Sequence, residues 1–137
     1  MWWIYALLSA FFAALTAIFA KVGVKNVNSD LATAIRTVVI LIIAWGIVFF
    51  RGAAGGIHML TKNNLIFLCL SGVATGLSWI FYFKALQLGN VSQVAPVDKL
   101  SVAIAIIFSI LFLGEALTVK MAIGALLIIA GTITLIL

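Results

Sequence analysis

The chain has 137 residues, 66% of them hydrophobic and 8% charged, with a formal net charge of +5. Eight Lys and Arg and three Asp and Glu cannot cover a soluble globule of this size, because ordinary soluble domains carry about 25% charged residues. Disorder is excluded too, since it needs low hydrophobicity. What remains is a chain dissolved in lipid. A helical span takes about 20 apolar residues, so five spans use about 100 and leave about 37 for turns and ends. That length fits one transmembrane domain over 1–137, all α, with no appended soluble domain.

The predicted spans lie at about 2–20, 31–50, 65–86, 92–113 and 118–137. Span one has no basic segment ahead of its apolar run, which reads as a retained helix rather than a cleaved signal peptide. Lys21 and Lys25 close it. Asn28 or Ser29 is placed to cap span two. Residues 51–64 form a loop carrying Gly52, Gly55 and Gly56, and Thr61 or Asn63 is placed to cap span three. Gly89 follows span three as a C-cap candidate. Thr118 is placed to cap span five.

Span four is the irregular one. Its charge-free part, 100–114, is too short to cross, so the helix starts near Ser92 and takes in Pro96, Asp98 and Lys99. Pro96 is tolerable near a helix start, where N–H groups lack intrahelical partners. Span two likewise takes in Arg36. At 1.5 Å per residue, Arg36 lies about 9 Å in from Asp30 and Asp98 about 9 Å in from Ser92. Lys84 lies about 7 Å in from Gly89.

Basic residues stand singly at the edges of apolar runs, which reads as interfacial anchoring and excludes nucleic acid as a partner. Lys21, Lys25, Arg36, Lys84 and Lys99 fall toward one side. Arg51, Lys62 and Lys120 fall toward the other. Setting aside Arg36, Lys84 and Lys99 as interior charges leaves the two sides nearly balanced, so either insertion is affordable.

On span three, Ser71, Thr75, Ser78 and Tyr82 fall within about 60° of one another. This stripe is either a helix–helix hydrogen-bonding face or one wall of a polar cavity. Gly72 and Gly76 form a GxxxG pair on the neighbouring face, continued by Trp79 and Phe83, and such a pair permits close backbone approach. Span one carries Tyr5, Ser9, Phe12 and Thr16 on one face. Span four carries Asp98, Ser101 and Ser109 on one face. Span five reads as packing.

Charges inside a bilayer usually face a bundle interior and pair. Asp98 has candidate partners in Lys84 and Arg36, either as a structural ion pair or as a pair that binds a polar solute or coupling ion. His58 is the only histidine and Cys69 the only cysteine, so no metal or cofactor site is expected. No Ser/His/Asp set, HExxH or phosphate-binding loop is present, and nothing points to an enzyme.

The stretches ATAIRTVV (32–39), SGVATGLSWIFYFKALQLG (71–89), VAPVDKLSV (94–102) and LGEALT…GALLIIAGT (113–132) resemble the EamA family of the drug/metabolite transporter superfamily. The chain is similar to a single EamA repeat, as in short bacterial members. The resemblance implies a secondary transporter of small polar metabolites, probing one face of the bacterial cytoplasmic membrane at a time and exporting them. Five helices per repeat would make an inverted pair only by joining two copies of opposite orientation. That implies an antiparallel, dual-topology homodimer and a ten-helix bundle, embedded in membrane lipid. Spans one, three and four would line the substrate cavity. The matching positions are Tyr5, Ser9, Thr16, Ser71, Thr75, Ser78, Trp79, Tyr82, Asp98 and Ser101, with Lys84 added from the charge reading and Asp98 as the coupling group. Arg36, Pro96, Glu115, Gly72 and Gly76 are expected to be structural. Span one has no carboxylate, unlike the small multidrug resistance branch, which makes proton-coupled export of lipophilic cations the less fitting chemistry. The alternative is a non-transporting membrane subunit or flippase component acting with a partner protein.

Overall fold

A computed structural model describes all residues, 1–137. It is all helical, without strands. Helix α1 runs Trp2–Gly23, α2 Ser29–Phe50 and α3 Lys62–Leu88, with a 3₁₀ helix at Ala53–Met59 where a loop is expected from the glycines. Then come α4 at Val91–Asp98, α5 at Leu100–Leu113 and α6 at Val119–Ile136. Five stretches are long and apolar enough to cross a membrane, α4 and α5 together forming the fourth.

Local chemistry sets the helix ends. The Asn28 side chain accepts from the N–H groups of Asp30 and Leu31, at 2.8 and 3.1 Å, and so starts α2. The Thr61 hydroxyl accepts from Asn64 N–H at 3.2 Å, and Thr118 from Met121 N–H at 3.2 Å. Gly52 at φ 65° and Gly114 at φ 68° end α2 and α5 in left-handed conformation, which an L side chain adopts only with strain. After Gly114, the Glu115 N–H donates back to Ser109 O at 3.3 Å.

Two compact units are present, residues 20–87 and residues 1–19 with 88–137. In the first, the buried groups are Val24, Ser29, Thr33, Phe83 and Leu86, gathered where the α1–α2 turn meets the end of α3. Side chains reach far along the sequence to close this end. The Lys21 ammonium donates to Leu86 O at 2.6 Å. The Gln87 amide donates to Val24 O at 3.0 Å and also to Val27 O. Carbonyls at helix ends have no intrahelical donor, and in lipid they must find one.

In the second unit, α4, α5 and α6 pack together. Ala17, Ala103 and Thr132 are buried there. Small residues suit that role, since without a hydrophobic drive between helices in lipid close backbone approach supplies the attraction. The fourth span is irregular at one residue. Pro96 lies past the first turn of α4 and has no N–H to give the helix ladder. The Lys99 N–H is shared between Ala95 O at 3.3 Å and Pro96 O at 3.0 Å, and Lys99 keeps helical angles, φ −72° and ψ −10°, so Val91–Leu113 runs on as one span. Thr132 of α6 meets this junction, its hydroxyl lying 3.2 Å from Pro96 O and 2.8 Å from Ile128 O.

Within each span, at most 6% of the most apolar window is buried inside the chain. The outer faces therefore meet lipid or another protein surface.

Candidate functional site

The polar positions of the first unit lie on α2 and α3. Helix α3 carries Ser71, Thr75 and Ser78 exposed, Trp79 and Tyr82 half-buried, and Lys84 exposed. The Thr75 hydroxyl donates to Ser71 O at 2.9 Å, a bond within the helix. The hydroxyl stripe thus makes no helix–helix hydrogen bond through Thr75, and it stays uncovered.

The neighbouring face of α3 is the one that receives α2. The Arg36 guanidinium lies 4.3 Å from the centroid of Trp79 and 5.0 Å from that of Phe83. Tyr82 packs edge-on to Phe83 at 6.1 Å and lies within electrostatic reach of Arg36. Arg36 makes no hydrogen bond and no ion pair; the ion pair of the chain is Lys99–Asp98. Within this unit Arg36 meets two aromatic faces. Each such contact returns about 0.5–2 kcal/mol, depending on desolvation. Arg36 stands about 10 Å in from the start of α2, short of the helix centre.

Farther along the same face are Gly72 and Gly76. A Cβ added to either would meet nothing within 4 Å. The close approach that the GxxxG spacing permits is not made inside the chain.

The second unit holds Tyr5, Ser9 and Thr16 on α1, Asp98 at the end of α4, and Ser101 on α5. Tyr5, Ser9 and Ser101 are exposed, while Thr16 and Asp98 are half-buried. The Asp98 carboxylate pairs with Lys99 at 3.1 Å, its immediate neighbour. Both side chains remain partly exposed, at 34% and 57%, and pairs so exposed contribute about 0–1 kcal/mol. Glu115 is exposed in the turn before α6.

Sequence reasoning missed the tie formed by Lys21 and Gln87. These residues border a groove of about 610 Å³ at the end of the first unit, together with Val24, Lys25 and Asn26. The groove lies where the spans end, not along the hydroxyl stripe. No group of three or more metal-ligating side chains is present.

Comparison with known proteins fits these features. The family described as "EamA-like transporter family" matches residues 1–137. A Sinorhizobium protein described as "Uncharacterized transporter in cobO 3'region" is 52% identical over 134 residues, 98% of this chain and 95% of the relative. An uncharacterized protein of Methanocaldococcus jannaschii is 36% identical over 74 residues, 54% of each chain. No solved structure matches the chain. A family match over the whole length, a relative of half-identical sequence and five apolar helices agree: this multi-pass membrane protein belongs to the EamA-like transporter family.

Proposed function

We propose that the protein is a secondary transporter that exports small polar metabolites across the cytoplasmic membrane by alternating access, as an antiparallel homodimer. The observation that carries this reading is the uncovered polar face of α3, with Ser71, Thr75 and Ser78 exposed on a span of which no part of the apolar window is buried. A hydroxyl row facing lipid is a poor use of such residues, whereas a second copy facing it would enclose a polar cavity. The open surface at Gly72 and Gly76 supports the same pairing. The nearly balanced basic residues on the two sides support insertion in both orientations.

In this reading Tyr5, Ser9, Thr16, Ser71, Thr75, Ser78, Trp79, Tyr82, Lys84 and Ser101 line the substrate path. Asp98 is the proton-coupling group. It stands at the junction of α4 and α5, and ionisable groups inside spans are where transporters place ion sites. Cross-linking of the purified chain in mild detergent tests the pairing. Cysteines introduced as Gly72→Cys or Gly76→Cys on a Cys69→Ser background are expected to trap two-chain species. Particles that stay single chains under all cross-linkers would remove the homodimer and favour a subunit that works with a partner protein.

A further inference from the structure

We propose that Arg36 is the receptor for an oxyanion, a carboxylate or phosphate group carried by the transported metabolite. This assignment rests on the transporter reading and names the substrate class of that same path. Arg36 sits seven residues into α2, about 10 Å from its start. Its guanidinium lies against Trp79 and Phe83. Ring faces take up none of the N–H donors as a carboxylate would, and those donors form the fork that matches oxyanions bidentately. Within residues 20–87 the contacts of the guanidinium are these two rings and the reach of Tyr82, and the carboxylate of that unit is Asp30. Asp30, on the same helix, is six residues away and so points about 240° around it. The rings carry no formal negative charge, so within residues 20–87 the cation lacks an anionic complement. The stack also pre-orients the group: Phe83 is 2% exposed and holds its ring fixed. Trp79 and Tyr82 border the hydroxyl stripe, so an anion held by Arg36 would bring the rest of its molecule to Ser78 and Tyr82.

The test uses the full chain in a phosphate-free maltoside detergent. Trp2, Trp3 and Trp45 are replaced by Phe, leaving Trp79 as the reporter beside Arg36. Benzoate, succinate and inorganic phosphate are titrated, with benzamide as the neutral control. At least one oxyanion is expected to shift Trp79 emission saturably, and benzamide to do nothing. Arg36→Gln is expected to weaken that response at least about tenfold, the usual loss for a charge-assisted hydrogen bond. Arg36→Lys keeps the charge without the fork and is expected to fall between. A saturable response equal in wild type and Arg36→Gln would overturn the proposal, as would no response to any of the three. In a parallel arm phosphatidylglycerol is added first. If it occupies the site so that benzoate no longer acts, the ligand is a lipid headgroup and the metabolite assignment fails. The measurement needs neither flux nor a defined orientation. Binding with no flux in vesicles would thus remove the transporter reading alone, and flux unchanged in Arg36→Gln would remove the receptor alone.

Discussion

Replacing Asp98 by asparagine is expected to reduce proton-driven flux in vesicles to the level of protein-free controls, while leaving the chain folded. Asp98 is the carboxylate at the junction of α4 and α5, with Thr132 bonding to the carbonyl of Pro96 beside it. Its partner is its neighbour Lys99, both partly exposed, so the pair contributes at most about 1 kcal/mol to the fold. Removing its charge therefore changes little in stability. Removing a titratable group from the path abolishes exchange of a proton against substrate. Counterflow of unlabelled substrate, which needs no proton, is expected to survive in Asp98→Asn. A variant with undiminished proton-driven flux and unchanged pH dependence would take the coupling role from Asp98.

Leu86→Ala is expected to have the largest effect on stability. Leu86 is fully covered, at 0% exposure, and its carbonyl accepts from Lys21. Truncating a buried leucine costs about 2–5 kcal/mol, through lost contacts and the cavity left behind. The first unit has few other buried groups to absorb that loss. A thermal melt in detergent, followed by tryptophan fluorescence, is expected to show a clear drop for Leu86→Ala. Leu68→Ala, at an exposed position of α3, is expected to stay within about 0.5 kcal/mol.

The spans and most of their ends were legible in the sequence because their causes are local. Apolar length announces a span, and Asn28, Thr61 and Thr118 act within four residues of where they stand. The partners of Arg36, Lys21 and Gln87 were not legible. Gln87 reaches carbonyls 60 and 63 residues away, and no spacing records such a contact. What lies against Arg36 depends on the face of α3 that meets α2, and that face carries rings. Pro96 was visible in the sequence, and it falls six residues into α4, past the first turn.

Family membership and the uncovered faces together make one claim central: two copies of this repeat, inserted in opposite directions, form the working unit. Accessibility of single cysteines tests it most directly. On a Cys69→Ser background, Leu137→Cys and Asn63→Cys are labelled in intact cells with a membrane-impermeant maleimide, before and after permeabilisation. The account predicts that each site is labelled from outside in about half of the molecules and from inside in the rest. Labelling of either site from one side only, in all molecules, would contradict it.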